Sequence, residues 1–340
     1  PAMLDEYDRF GQIFTFTVSG FGICANSLLL IAIKTRSTSS FRVYSTILLN
    51  TAVIDLIAST AAALSVSRLV SSPSMLTTFV VFSGPCKYAG RIACWICHAV
   101  ETQMWLSSNN LLCFAFAYRL ISVREKEWPS RNVAYFACFN HVVNCVLCAL
   151  LFCLFLDNGC TVDDIIAARP HFRTILRTDY EFAAIQYSSA LSVAVLVVTT
   201  SSSPVVFAVT FVLRARTVRT LSACRSSMSA ATLDMHRMLV RTLNVQLALT
   251  TVFGVGCAIY LLNLSGILGH PLAEVMVCAT INLLPAAAPV VNFVCIQPYR
   301  LTTTAFRNYS IILRHTTSVD LITAIFSVTR LLSLPETATT

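Results

Sequence analysis

Long apolar stretches alternate with short polar ones along almost the whole chain. Seven stretches are predominantly apolar and long, at 10–33, 43–64, 91–118, 133–156, 185–213, 239–262 and 273–295. A helix needs ~20 apolar residues to cross the ~30 Å hydrocarbon core of a membrane. These stretches are apolar on all sides rather than every third or fourth position, as expected for helices surrounded by lipid. The pattern predicts an all-α membrane protein built as a seven-transmembrane helix bundle.

The predicted bundle takes up most of the chain. We place it at 10–300, after a short N-terminal stub at 1–9 and before a tail at 301–340. The longest connections, about 157–184 and 214–238, are too short to fold as separate domains. No internal repeat is visible, which weighs against transporters built from inverted repeats.

Composition agrees with a membrane protein. Hydrophobic residues make up 56% of the chain and charged residues 12%, against about 45–50% and about 25% in soluble domains. The net charge is +8, but the basic residues lie between the apolar stretches and form no nucleic-acid-binding pattern. We therefore interpret the charge as a signal of membrane topology.

The distribution of basic residues predicts the orientation. An extracellular N-terminus places most of the 24 lysines and arginines on the cytoplasmic side and most of the acidic residues outside. Cytoplasmic loops of membrane proteins carry an excess of Lys and Arg. We expect the N-terminus outside and the C-terminus inside.

Few charged groups lie deep in the predicted spans, where a charge is costly. Asp55 is in the middle of the second span, while Asn26 and Asn292 are in the first and seventh. We predict a polar network of these three residues. It has two interpretations, a switch with two arrangements or a static hydrogen-bond cluster that fixes helix packing.

Glu101 is the other deep acid. It precedes Arg119 by 18 residues, about 27 Å of helix, so it belongs in the outer third of the third span. One interpretation is a small-ligand site, for which we predict four residues: Glu101, His98, Trp105 and Tyr260. The alternative is that Glu101 only pairs with a nearby basic group: His98, Lys87 or Arg91.

Cysteines point to one extracellular disulfide. Most of the 14 cysteines lie in apolar stretches, where cysteine acts as a small apolar side chain. Cys160 is alone in the second outer loop, and Cys86 and Cys94 lie where the third span begins. We predict a Cys94–Cys160 bond, with Cys86–Cys160 as the alternative.

The sequence has no motif for metal, cofactor or catalytic chemistry. No second cysteine pair or histidine pair completes a zinc site, and no nucleophile–base set or phosphate-binding loop occurs. We therefore predict no metal, no cofactor and no enzyme activity. The remaining alternative to a receptor is a transporter or ligand-gated channel, which a ligand-dependent flux without any G protein would reveal.

Four short segments carry a resemblance to a known family. They are YSTILLNTA at 44–52 followed by Asp55, GPCKY at 84–88 followed by Cys94, AYR at 117–119, and PYR at 298–300. Over about 11–300 the chain resembles rhodopsin-like seven-helix receptors, and more closely the nematode serpentine chemoreceptors of class D (Srd) in the Str superfamily.

The resemblance implies a chemosensory G-protein-coupled receptor. Such a protein binds a small molecule, signals through a heterotrimeric G protein and is carried in the plasma membrane of sensory neurons or their cilia. By this analogy the G-protein side has four residues: Tyr118, Arg119, Arg237 and Arg241. Basic residues there also follow from topology alone; Arg119, at the cytoplasmic end of the third helix, is the one we expect to contact the sixth helix or the G protein.

The sequence also departs from the rhodopsin-like pattern. No acid precedes Arg119, the sixth span has FGVG at 253–256 instead of an aromatic–proline switch, and the seventh has APVVN at 288–292. These differences put a rhodopsin-style switching mechanism in question without affecting the topology.

Overall fold

The protein forms the predicted bundle of seven long helices. The computed structural model describes residues 2–36, 42–72, 77–124, 130–156, 163, 166, 180–187, 189–224, 228–268 and 270–296. Within them the helices are α1 (Ala2–Arg36), α2 (Arg42–Ser65), α3 (Arg91–Arg124), α4 (Ser130–Leu156), α5 (Ala190–Ala223), α6 (Ala230–Leu264) and α7 (Pro271–Cys295). The all-α membrane fold is confirmed.

Six of these helices are long and apolar enough to span a membrane, and α3 is the exception. α3 packs against α2, α4, α5 and α6, so its polar residues face protein rather than lipid. Glu101, Gln103 and Asn109 are all buried on it. Polar residues in membrane helices are favoured on such inward faces, which explains why the central helix is the least apolar.

A small sheet closes one end of the bundle. β1 (Ser67–Ser72), β2 (Thr77–Phe82) and β3 (Glu181–Gln186) pair antiparallel in the order β1-β2-β3. Val70 lies opposite Phe79, and Val81 opposite Phe182. We call this the sheet end and the opposite end, where α3 finishes, the Arg119 end. No strand of this sheet was predicted from the sequence.

Glycine allows the chain to pass close to the end of α2 after the β1–β2 hairpin. A Cβ atom at Gly84 would collide with the carbonyl of Leu64, so only glycine fits there. A short 3₁₀ helix at Pro85–Ala89 follows. It packs with Phe82 of the sheet and Trp95 of α3 in one buried cluster, which fixes the sheet on α3.

The disulfide differs from the prediction. Cys86 in the 3₁₀ helix is bonded to Cys94 in the first turns of α3, with Cα atoms 4.9 Å apart. Gly90, at a φ of 90°, turns the chain between them, whereas eight residues of continuous helix would separate them by about 12 Å. A cysteine forms one disulfide, so the predicted Cys94–Cys160 bond and its Cys86–Cys160 alternative are wrong. Cys160 itself lies outside the described residues.

The structure describes the N-terminal segment but not the predicted tail. α1 begins at Ala2, so helix extends through the segment that we assigned to an N-terminal stub at 1–9. The predicted tail at 301–340 and the PYR segment at 298–300 lie outside the described residues.

Candidate ligand cavity and signalling surface

A cavity lies beneath the sheet between α3, α5, α6 and α7. Its volume is about 130 Å³, and Leu69, Thr78 and Ile185 of the sheet contribute to its lining. The remaining lining residues are mainly apolar or hydroxyl-bearing. No Asp, Glu, Lys or Arg is among the described residues that line it. The cavity is therefore apolar, with a small number of polar groups, as small-molecule sites are.

Three of the four residues predicted for ligand binding line this cavity. His98 and Trp105 lie on α3, and Tyr260 lies on α6. The Trp105 ring packs edge-on to Phe253 of α6 at 6.4 Å between ring centres. The structure thus brings these three side chains to one space, and their contact with a ligand stays a prediction.

Glu101 does not line the cavity. Its side chain is fully buried, and its Oε2 accepts a hydrogen bond from the Ser65 hydroxyl of α2 at 3.0 Å. The same oxygen is 3.7 Å from His98 Nδ1, which is longer than a hydrogen bond. This geometry favours a structural role for Glu101, which links α3 to α2 through Ser65 and has His98 as a basic neighbour.

Three hydroxyl groups form a chain at the cavity wall. The Tyr260 hydroxyl is 2.7 Å from that of Tyr187 and 3.0 Å from Thr78 Oγ1. The chain connects α6 to β2 and to the turn after β3. Burial raises the pKa of Tyr187 more than its hydrogen bond with Tyr260 lowers it, so the phenol stays neutral and can donate at physiological pH.

A buried ion pair fastens the sheet to α7. Arg68 of β1 donates to Glu274 Oε2 at 2.8 Å, and both side chains are almost fully buried. This pair was not predicted from the sequence. Removing one partner of such a pair leaves an uncompensated buried charge, so the pair holds β1 in place over the cavity.

The three residues of the predicted polar network form separate hydrogen bonds with other residues. Asn26 Nδ2 donates to the Pro285 carbonyl at 2.9 Å, Ser108 donates to Asp55 at 2.9 Å, and Gln246 donates to Asn292 at 3.0 Å. Among the described residues no direct hydrogen bond joins Asn26, Asp55 and Asn292 to one another. Asp55 therefore links α2 to α3, rather than to α1 or α7 as predicted.

The Asn26 link has a backbone cause. Pro289 has no N–H, so in α7 the carbonyl of Pro285, four residues earlier, loses its helical partner. Asn26, which is fully buried, supplies the missing donor from α1. Membrane helices tolerate an internal proline where a neighbour satisfies the freed carbonyl in this way.

Arg119 lies buried at the opposite end, against aromatic rings. Its guanidinium carbon is 4.4 Å from the centre of the Tyr44 ring and 5.5 Å from that of Tyr118. The side chain is 4% exposed. Over the part of the chain that is described, no carboxylate pairs with it, so a cation–π contact takes the place of an ion pair.

The other predicted residues of this end are more accessible. Arg237 forms an exposed pair with Asp234 at 3.6 Å, and Arg241 is exposed. Between α5 and α6, Arg214 Nε donates to Asn244 at 2.7 Å, a link that the sequence analysis did not identify. The Arg119 end thus combines a buried cation with exposed basic side chains around it.

Comparisons with known proteins agree with this architecture. The family model described as serpentine type 7TM GPCR chemoreceptor Srd matches residues 11–304. Serpentine receptor class delta-1 of Caenorhabditis elegans is 25% identical over 298 residues, 86% of this chain and 80% of that protein. Serpentine receptor class delta-33 of the same species is 26% identical over 312 residues, 88% of each chain.

Among solved structures, squid rhodopsin is similar to the chain in fold. The TM-score is 0.60 at 13% sequence identity, and the match covers 87% of this chain and 84% of that chain. At this identity the likeness bears on the fold alone.

Proposed function

Because this chain belongs to the Srd family of serpentine 7TM G-protein-coupled chemoreceptors, and is thus a chemosensory receptor, we propose where it binds its ligand and its G protein. The ligand occupies the cavity beneath the sheet. The heterotrimeric G protein binds at the Arg119 end. The observation that carries the proposal is the cavity itself, which is apolar and lined by α3, α5, α6 and α7 together.

A ligand in this cavity contacts several helices at once. His98 and Trp105 belong to α3, and Tyr260 belongs to α6. A ligand shifts an equilibrium between two arrangements only when it binds one of them better. Contacts with both helices provide such a difference whenever α6 changes its position relative to α3.

The Arg119 end supplies the surface for the G protein. Arg119 is held by Tyr44 of α2 and by Tyr118, so a shift of α3 away from α2 exposes a cation at this end. Exposed Arg237 and Arg241 of α6 add positive charge beside it. A basic surface favours a partner with complementary acidic groups.

The proposed activity sets an orientation in the cell. The sheet end and its cavity face the outside, and the Arg119 end faces the cytoplasm, which places the N-terminus outside and the C-terminus inside. The receptor resides in the plasma membrane as a multi-pass protein of sensory neurons, including their cilia. The distribution of Lys and Arg along the chain supports this orientation.

The test is a ligand screen in cells with a general G-protein readout. Ala99, which is buried and lines the cavity, is changed to Leu so that the added volume competes with the ligand. Ala194→Leu, at an exposed position of α5, is the matched control. We expect Ala99→Leu to reduce the ligand response at equal surface expression and Ala194→Leu to preserve it.

Equal responses in the two variants would place the ligand elsewhere. A ligand-dependent flux or current that needs no G protein would contradict the signalling role and favour a transporter or channel.

A further inference from the structure

We infer that the ligand is a compact, uncharged molecule that carries a hydrogen-bond-accepting oxygen, such as a short ketone or ester. This inference rests on the proposed function, since it describes the chemistry of the same cavity. Three properties of the cavity lead to this inference: its lack of acidic and strongly basic side chains, its small volume and its hydrogen-bond donors.

The cavity offers no carboxylate, ammonium or guanidinium group to a charged ligand. No Asp, Glu, Lys or Arg is found among the described lining residues. The nearest acid on α3, Glu101, is engaged by Ser65, while Arg68 and Glu274 are paired with each other. An ion that enters such a space loses its hydration without a compensating partner. A neutral ligand has no such cost.

The size of the cavity limits the ligand to a few atoms. Drug-sized ligands fill pockets of about 300–1,000 Å³, well above the volume of about 130 Å³ found here. An apolar cavity of about 150 Å³ in another protein holds benzene. By that comparison this cavity holds a molecule of about six non-hydrogen atoms.

The hydroxyl chain supplies a donor. Two hydrogen bonds connect the hydroxyl groups of Thr78, Tyr260 and Tyr187. Tyr187 also has a hydrogen-bond interaction with Thr78, so the three groups contact one another, and each of them can donate or accept. A ligand oxygen that replaces one of these contacts accepts the proton that the contact used.

The other hydroxyl groups of the cavity donate to the backbone instead. Thr102 donates to the His98 carbonyl at 2.9 Å, and Thr199 and Thr200 donate to carbonyls of α5. The indole N–H of Trp105 is a further donor, and it has no acceptor within the described part of the chain. A donor that lacks a partner thus favours a ligand that accepts a hydrogen bond.

The test uses the full receptor and five probes of about six non-hydrogen atoms each, the size that the cavity comparison suggests. Methyl propyl ketone and ethyl acetate are neutral acceptors, pentylamine is a cation, butanoate is an anion, and hexane has no polar group. Binding is measured as stabilisation of the purified receptor against heat, and activation as the G-protein readout in cells. We expect the ketone and the ester to bind best and hexane to bind more weakly.

The triple variant Thr78→Val, Tyr187→Phe and Tyr260→Phe tests the donor. It removes all three hydroxyl groups of the chain, and we expect it to weaken ketone binding about 3- to 10-fold, the usual range for one hydrogen bond. Hexane binding should stay the same. Tyr88→Phe, at a side chain that is 87% exposed, is the matched control and should change neither.

The other outcomes distinguish a failure of the ligand class from a failure of the proposed function. Tighter binding of pentylamine or butanoate than of the ketone would overturn the ligand class and leave the proposed function standing. If none of the five probes binds a receptor that melts cooperatively, the ligand class is also wrong. The proposed function fails separately, when no compound of a broad library gives a G-protein response.

Discussion

The guanidinium group of Arg119 lies over the ring of Tyr44, 4.4 Å from its centre. The contact joins the end of α3 to the beginning of α2. Tyr118, the residue before Arg119, adds a second ring at 5.5 Å. Where other rhodopsin-like receptors are expected to have an acid before this arginine, the chain has a tyrosine, and the buried cation is stabilised by aromatic faces.

Tyr44→Leu should therefore increase signalling without ligand. A cation–π contact contributes about 0.5–2 kcal/mol, so its loss shifts the equilibrium toward the state with a released arginine by about 2- to 30-fold. Basal G-protein activation at equal surface expression measures the shift. Tyr44→Phe keeps the ring and should behave as the natural protein does. If the leucine and phenylalanine variants signal alike, the contact does not restrain Arg119.

Breaking the Arg68–Glu274 pair should destabilise the receptor. Arg68→Met leaves the Glu274 carboxylate buried without its partner, which costs about 3–5 kcal/mol. The double variant with Glu274→Leu removes both charges and should recover most of the loss. Thermal unfolding in detergent measures the stability of the single and the double variant. An equal loss in the single and double variants would show that the charges do not interact as described.

The link between Asn26 and the Pro285 carbonyl gives a prediction about coupling. Asn26→Leu leaves that carbonyl without a donor and should cost about 1–3 kcal/mol of stability. In a Pro289→Ala background the helix supplies its own N–H, so the same substitution should cost much less. Unfolding of the four proteins of this cycle measures the coupling. Additive effects would mean that Asn26 acts in another way.

The disulfide predicts a specific pattern among cysteine variants. Cys86→Ser, Cys94→Ser and the double variant should lose the same stability, because each removes one bond. For a loop of 8 residues the chain-entropy estimate is about 2.5 kcal/mol. Cys160→Ser should cost little. A large loss on both Cys160→Ser and Cys94→Ser, with Cys86→Ser unaffected, would favour the Cys94–Cys160 pairing expected from sequence.

Much of the fold follows from short-range pattern, because a membrane span is a single apolar stretch that requires no knowledge of its neighbours. The sheet, in contrast, depends on pairing between segments that are far apart in sequence. β1 and β2 are six-residue strands, and β2 pairs with Phe182 and its neighbours about a hundred residues later, so their partners cannot be identified from local sequence. The disulfide was mispredicted for a related reason, since the turn at Gly90 places Cys86 beside Cys94.

The candidate site was predictable in its position but not in its details. Helical spacing predicts that His98 and Trp105 lie on the same face of α3 as Glu101. Which of them faces the cavity depends on the rotation of α3 against α2, and Ser65 engages Glu101 on the far side. The pairing of Arg119 with Tyr44 likewise joins positions far apart in sequence.

The most direct test of the account separates binding from signalling in one variant. Arg119→Gln removes the cation at the signalling end and leaves the cavity residues unchanged. An agonist from the screen should stabilise this variant against heat as it does the natural protein, yet it should not stimulate nucleotide exchange on a purified heterotrimeric G protein. Lys87→Gln, at the sheet end, should retain both activities. Nucleotide exchange at the natural rate by the Arg119→Gln variant would contradict the account.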